Sequence, residues 1–447
     1  MNVPLSWLRD YIDIDLPLDE LARILTMAGL EVEEINLVGL PMPAGDRYEF
    51  KFSGLSWEPD KIVVAQIDEV MPHPNADRLT LCRLNDGMDE YIVLTGAPNL
   101  WEYKGRGTLP KPLKVAYAKE GAKIYDGHQP GQVLTTLKRA KIRGIESFSM
   151  VCSEKELGIS EEHEGIIILD EDAPTGMPLV DYMGDAVLSV SILPNMIRNA
   201  SLIGIARELS ALTGAPLKVP KPVLPMDGPS IKGQVSIQIT DPDLNPRFLV
   251  GLVRNVRPIP SPYWVQRRLR MAGMRPINGI VDATNYIMLA TGQPLHAFDY
   301  DVLVQRAGGK PPTIITRSAA PGEKLTTLDG VERVLEPYTI LVCDTAGSLS
   351  LAGVMGGLES EVTDSTTTVL LEGASWNFVN VRRTTSSQRL NSEAGYRFAR
   401  GVHPELAQTA VELGLEAIAS WGKGQIAAGL VDAYPKPVLD PEVELTP

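Results

Sequence analysis

The segment Ala215-Pro-Leu-Lys-Val-Pro-Lys-Pro-Val-Leu-Pro-Met-Asp-Gly-Pro-Ser-Ile231 holds five prolines in seventeen residues and no apolar period. Proline removes a backbone donor and fixes φ, so the stretch can serve neither as a helix nor as a central strand, and it reads as a semi-rigid linker. It divides a chain of 447 residues, longer than one hydrophobic core usually serves. Each side is therefore expected to fold around its own core.

Upstream of the linker, Ser201 to Gly214 is a helix by pattern. Leu202, Ile205, Ala206, Leu209 and Leu212 recur on one face, and Gly214 is placed to end it. Residues 16 to 31 read the same way, with Leu18, Leu21, Leu25 and Ala28 in phase and Gly29 as the stop. Between these helices the period changes. Ile62 to Ile67, Tyr91 to Leu94 and Val115 to Tyr117 are short strands set among Gly, Pro and Asn clusters, a spacing that suits a small barrel. Downstream, strands at Val235 to Thr240, Thr313 to Arg317 and Thr367 to Leu371 mix with helices near 262 to 272 and 404 to 420, which makes this half α+β. The tail from Tyr434 to Pro447 is again proline-rich, and the chain reads as truncated there. No internal repeat or low-complexity tract interrupts this plan.

The formal net charge is −14, so a surface coated by nucleic acid is excluded and any RNA contact must be local. Cys82, Cys152 and Cys343 are odd in number and far apart, which fits neither a disulfide framework nor a zinc site; no metal site and a reducing compartment are expected. The N-terminus lacks a basic stretch before an apolar one, and no run of about 18 apolar residues occurs. A cytoplasmic protein with no membrane partner follows as an expectation. Only five histidines are present, so each is easy to weigh.

Three blocks in the first half then stand out: His73-Pro-Asn-Ala-Asp-Arg-Leu-Thr-Leu-Cys82, Thr95-Gly-Ala-Pro-Asn99, and Lys138-Arg-Ala-Lys-Ile-Arg-Gly-Ile-Glu-Ser-Phe-Ser-Met-Val-Cys-Ser153. In this order they resemble the tRNA-binding OB domain shared by several aminoacyl-tRNA synthetases. Lys138, Arg139, Lys141 and Arg143 form a local positive patch on an acidic chain, the feature an OB barrel uses against a phosphate backbone. By charge pattern alone the same cluster also reads as a solvated basic turn. The resemblance adds Asn75 and Arg78 as tRNA contacts. Ser149 stands where that family usually has Gly, and Leu100 to Pro112 depart from its spacing.

The second half is the closer match. Ser261 to Asn278, Val281-Asp-Ala-Thr-Asn-Tyr286, Gly292-Gln-Pro-Leu-His-Ala-Phe-Asp299, Gly353-Val-Met-Gly-Gly357, Leu371-Glu-Gly-Ala374 and Arg389 to Pro404 together resemble the editing domain of bacterial phenylalanyl-tRNA synthetase beta subunits. Trp7 to Asp13, Pro194-Asn195 and Gly204 to Glu208 are similar to the small domain that brackets the OB insertion there. The resemblance implies a multidomain α+β fold. A small α+β N-terminal domain occupies 1–38 and 161–214, with the OB-fold β-barrel inserted at 39–160; the linker 215–231 and an α+β editing domain at 232–435 follow. Residues 436–447 then lead toward missing C-terminal domains.

It also implies a function: binding tRNA(Phe) and hydrolysing mischarged Tyr-tRNA(Phe) within an alpha–beta heterotetramer that attaches phenylalanine to its tRNA. No cofactor is implied for this fragment, while the whole enzyme uses ATP and Mg2+. The chemistry is coherent. A synthetic site lined by apolar groups cannot strongly reject a substrate that merely adds a hydroxyl, so a second site must select for that hydroxyl with a polar partner. By resemblance that partner is Glu372, whose carboxylate type suits a charge-assisted bond to a phenol, although composition alone favours a surface glutamate at the end of the strand Val369 to Leu371. Glu372 is then expected to face a buried cleft beside Gly356 and His296. The resemblance places Gly356 against the bound tyrosine, Ala394 and Ser392 around its amino-acid end, and His296, Thr284 and Asn285 near the ester and terminal ribose. There they would orient water without a covalent nucleophile.

Gly395 and His403 depart from the usual Ser and Asp, and His403 is expected to be structural. A binding-only scaffold is the alternative the residues leave open. A complete aminoacylating enzyme would need a glycine-rich phosphate cradle or an adenylate-forming motif, and neither is present.

Overall fold

The computed structural model describes residues 1–45, 48–224, 228–439 and 444. Residues 225–227 of the linker, and most of the tail segment 436–447, lie outside the described residues. The chain forms two compact units: residues 1–10, 14–191 and 262–275 make the first, and residues 11–13, 192–261 and 276–447 the second. The helix Tyr263–Met271 thus groups with the first unit although it follows the proline-rich stretch in sequence.

In the first unit, Met150–Val151, Thr108–Ala118, Ile62–Pro72, Thr80–Asn85 and Glu90–Thr95 form a five-stranded sheet in that order, and its two edge strands approach each other into a nearly closed, barrel-like shape. The run Ile62 to Ile67 does not alternate in polarity because both of its faces are covered. Val63, Ala65 and Ile67 join one apolar cluster with Val70, Leu84 and Val115, while Ile62 and Val64 join another with Trp57 and Leu157. Beside it lies a four-stranded sheet ordered Asn2–Pro4, Asp185–Val190, Val32–Gly39, Lys51–Ser56, its last pair parallel. The helix Leu18–Met27 ends before Gly29, whose φ of 88° is the left-handed stop that glycine supplies without steric cost.

The second unit is built on two five-stranded sheets. One runs Ser236–Ile239, Thr313–Ser318, Ile340–Asp344, Gly347–Leu351, Met355–Gly356; the other runs Leu295–Asp299, Thr368–Ser375, Arg247–Arg254, Gln425–Ile426, with Val431–Ala433 also paired to Arg247–Arg254. Their facing side chains interlock in one core: Phe248, Val250, Leu252, Phe298 and Leu370 meet Ile314, Leu341, Cys343, Leu349 and Leu351. The opposite face of the second sheet, with Leu249, Val253, Val369 and Leu371, packs under the helices Leu406–Trp421 and Gly279–Thr291. All eight residues of Thr368–Ser375 are buried, since this strand lies inside its sheet and is covered on both sides.

Two local readings need correcting. The central strand continues through Glu372 to Ser375 instead of ending at Leu371, because it pairs along its length with Arg247–Arg254. In the helix Leu202–Thr213, Leu212 is exposed although it shares the apolar phase; the N-cap Ser201 and the left-handed Gly214 stand where expected.

Candidate functional site

Strand alternation decides where Glu372 points. With Leu371 under the helices, Leu370, Glu372 and Ala374 must face the other sheet. The neighbouring strand Leu295–Asp299 sets His296 directly opposite Glu372 in antiparallel register, so both side chains project from the same face near the sheet edge. There the apolar interior opens into a cavity of ≈ 210 Å³. His296, Gly356, Glu372, Ser392 and Ala394, five of the residues named from the sequence, all line it.

The electrostatics of this pair follow from burial. Glu372 is 6 % exposed, and its Oε2 has no hydrogen-bond partner among the described residues. Loss of water without compensation disfavours the charged form and pushes the carboxyl up to about 8. The same cause acts with the opposite sign on His296. Its imidazole, edge-on to Phe298 with ring centres 4.5 Å apart, is pushed down to about 4. At neutral pH the cavity therefore holds a neutral imidazole and a largely protonated acid, either able to exchange a hydrogen bond with a hydroxyl.

Gly356 closes one side. A Cβ built on it would lie 2.6 Å from His296 Cε1 and 3.0 Å from Leu328 Cδ1, so only glycine lets the chain pass this close to the imidazole. Its carbonyl accepts from the Leu328 N–H at 3.0 Å, which seats Leu328 at the cavity. On the other side, Ser392 caps the short helix Glu393–Phe398. Its Oγ accepts from the Gly395 N–H at 3.0 Å and donates to the Val354 carbonyl at 2.7 Å, so the hydroxyl holds Ala394 and Phe398 in the wall. At Gly395 an added Cβ would stand 3.0 Å from Thr385 Cγ2 and 3.1 Å from Ser392 Oγ, a tight fit for any larger residue.

Thr284 and Asn285 are not brought into this cavity. Both sit on the helix Gly279–Thr291, which packs on the outer face; Thr284 is buried and donates to the Val281 carbonyl at 2.7 Å, and Asn285 is half-buried. His403 is exposed, away from the cavity, and its Nδ1 accepts from the Glu405 N–H at 3.3 Å. Sequence reading missed Leu328, Met355 and Phe398, which join Leu295, Leu351 and Val354 in the apolar lining. Met355 and Phe398 lie inside quoted motifs, whereas Leu328 carries no signal in the sequence.

In the first unit, Lys138, Arg139, Lys141 and Arg143 are all exposed on or beside the hairpin of Ala140–Ile142 and Ile145–Ser147, which turns at the left-handed pair Arg143 and Gly144. Arg139 is engaged by Glu120 at 3.2 Å and Glu146 at 3.8 Å, and it lies over the Phe148 ring. Asn75 and Arg78 are exposed on the loop before Thr80–Asn85. Leu79 of that loop and Ile142 of the hairpin line a common cleft of ≈ 580 Å³ that also holds Ser149, but none of the six polar candidates does. Among the described residues, no group of three or more His, Cys, Asp or Glu could hold a metal ion, and no helix is long and apolar enough to cross a membrane.

Residues 244–422 match the family model of the B3/4 domain. The whole chain is 42% identical over 455 residues to the phenylalanine–tRNA ligase beta subunit of Moorella thermoacetica, covering 52% of that protein. It is also 42% identical over 435 residues to that of Dehalococcoides mccartyi, where 97% of this chain covers 50% of the relative. An N-terminal fragment of the phenylalanyl-tRNA synthetase beta subunit from Pyrococcus horikoshii is 18% identical, over 58% of this chain and 69% of that one, with a TM-score of 0.30. The chain spans about half the length of the curated relatives it matches. With matches at this identity along the whole of this chain and a B3/4 domain around the cavity, the chain belongs to the family of phenylalanine–tRNA ligase beta subunits.

Proposed function

We propose that this chain is the N-terminal part of a phenylalanyl-tRNA synthetase beta subunit that binds tRNA(Phe) and hydrolyses mischarged Tyr-tRNA(Phe). The observation that carries the reading is the buried Glu372 carboxyl with its unpartnered Oε2, placed opposite His296 in an otherwise largely apolar cavity. A tyrosine side chain entering the cavity supplies the missing partner through its para-hydroxyl. Phenylalanine leaves the carboxyl unmatched, and such an orphaned buried group costs about 1–3 kcal/mol, or roughly ten- to a hundredfold in selectivity.

The neutral imidazole of His296 accepts a hydrogen bond from the attacking water, and with a pKa of about 4 its part is to orient that water more than to remove its proton. The ester carbonyl then develops negative charge that a backbone N–H or the ribose hydroxyl stabilises. Thr284 and Asn285 reach the substrate in this reading only on the ribose side. The direct assay is tyrosine release from Tyr-tRNA(Phe) by this chain. Release at least tenfold faster than phenylalanine release from Phe-tRNA(Phe) is expected; equal rates would leave a binding scaffold as the better account.

The barrel-like sheet of the first unit serves, in this reading, as an OB-fold inserted in a small α+β domain, with the 138–143 hairpin, Asn75 and Arg78 against the tRNA. Because Arg139 is already held by two carboxylates, four cations, Lys138, Lys141, Arg143 and Arg78, remain to neutralise phosphates. The affinity for tRNA is expected to be weak and to fall with salt with a log–log slope of about −3 to −4; an affinity indifferent to salt speaks against this surface. The complete protein would pair with an alpha subunit as a heterotetramer in the cytoplasm and use ATP and Mg2+ for aminoacylation.

A further inference from the structure

Beside the Glu372 cavity lies a larger cleft of ≈ 600 Å³. The two share Ser392. Ala394 and Phe398 face the cavity, while Gly395, Tyr396, Ala399 and Arg400 face the cleft, so the helix Glu393–Phe398 stands between them as a wall. Their sizes separate their occupants. At ≈ 210 Å³ the cavity falls below the about 300–1,000 Å³ of pockets for drug-sized ligands, so it takes an amino-acid side chain and leaves the attached nucleotides outside.

The cleft has the chemistry for those nucleotides. Arg382 and Arg400 both line it, and among the described residues neither enters an ion pair. Arg400 is fixed by an Nη1 bond to the Tyr396 carbonyl at 2.8 Å and by the Tyr396 ring, 4.0 Å from the guanidinium carbon, while its Nε is buried without a partner. A buried guanidinium donor in that state favours an anionic acceptor. The one carboxylate in the lining, Glu393, is already held by Arg397 at 2.6 Å. On a chain of net charge −14, two guanidiniums without a carboxylate partner among the described residues, Arg400 against Tyr396 and Arg382 over the Phe378 ring, mark a local anion site beside a cavity for an ester.

We propose that this cleft holds the phosphodiester backbone preceding the aminoacylated 3′ end of the tRNA, with Arg382 and Arg400 as the phosphate contacts; the inference rests on the editing reading for the position of the ester. The test compares the full chain with an Arg382→Gln/Arg400→Gln double variant in two assays. One is the binding of a fluorescent oligoribonucleotide with the tRNA 3′-terminal sequence; the other is tyrosine release from Tyr-tRNA(Phe) and from tyrosyl-adenosine, which carries no phosphate.

The double variant should bind the oligonucleotide about tenfold more weakly, with a salt slope shallower by about 1.4, two single-strand phosphate contacts. It should hydrolyse tyrosyl-adenosine as the parent does. Arg400→Lys, which keeps the charge, should keep the slope and so separates charge from misfolding. Arg383→Gln, whose guanidinium stacks on Tyr338 at 3.8 Å outside the cleft, should change nothing. Unaltered affinity and slope in the double variant overturn the proposal. If the arginines govern oligonucleotide binding while neither ester is hydrolysed by the parent chain, the cleft stands and the editing reading falls.

Discussion

Replacement of Glu372 by alanine is expected to lower kcat/KM for Tyr-tRNA(Phe) about ten- to a hundredfold and to bring the tyrosine-to-phenylalanine preference close to one. The carboxyl is the only ionisable group besides His296 in a lining otherwise formed by Leu295, Leu328, Leu351, Val354, Met355, Phe398 and small residues. It is the one carboxyl in the lining, and in this reading His296 serves the ester. The same substitution carries a stability signature. Burial raises the folded carboxyl to about 8, above its ordinary 4.5, so the folded state resists ionisation. Below pH 4.5 the group is protonated in both folded and unfolded chains and costs nothing on this account. As pH rises from 4.5 toward 8 the unfolded chain ionises first, and wild type loses stability.

A Glu372→Gln variant, free of that penalty, should therefore gain on wild type through this window by several kcal/mol and level off above pH 8. Chemical denaturation at pH 4.5, 6 and 8 measures the difference; a constant gap across the three would mean that the carboxyl is solvated. His296 contributes in the reverse direction. Its folded pKa is lowered from 6.5 to about 4, so stability is complete above pH 6.5 and declines as pH falls from there toward 4.

The second large effect is at Gly356. Alanine there is expected to reduce tyrosine release by about a hundredfold and to destabilise the fold by about 1–3 kcal/mol. The cause is steric and not conformational, since Gly356 is absent from the glycines with positive φ. The new Cβ would sit 2.6 Å from the His296 ring, which is itself hemmed in by Phe298. Either the imidazole turns away from the water or Met355–Gly356 lifts off its neighbour Gly347–Leu351. Steady-state kinetics with thermal melts decides the point. Wild-type hydrolysis with an unshifted melt would show that the cavity relaxes at no cost, and the close approach would lose its significance. Glycine at 401, which has φ 96° and no atom within 4 Å of an added Cβ, offers a contrast in which backbone strain alone acts.

What local sequence conveys well is chain punctuation. Ser201 and Gly214 bound their helix through groups within one turn, and Gly29 stops another; both ends follow from hydrogen bonds made inside the segment. Family motifs conveyed a good part of the cavity as well, since His296, Gly356, Glu372, Ser392 and Ala394 were named before any fold was known. Motif membership did not convey distance. Thr284 and Asn285 belong to a quoted block, yet their helix packs on the outer face of the sheet, beside the remote helix Leu406–Trp421. The strand end at Leu371 was misread for a similar reason: the polar Glu372 interrupts the apolar run, but its neighbours Val250 and His296 come from remote segments and keep the ladder going to Ser375.

The sequence by itself determined that helices end at Gly29 and Gly214, which family the motifs resemble, and which carboxylate and which imidazole to watch. Only the tertiary structure decided that the two share one cavity, that its size suits a side chain and not a nucleotide, and that burial favours the neutral form of both groups. The physical reason is that capping and turns are settled by atoms a few residues apart. Desolvation and void volume are set by whichever distant segments pack around a site, and strand register brings those together across more than seventy residues between His296 and Glu372.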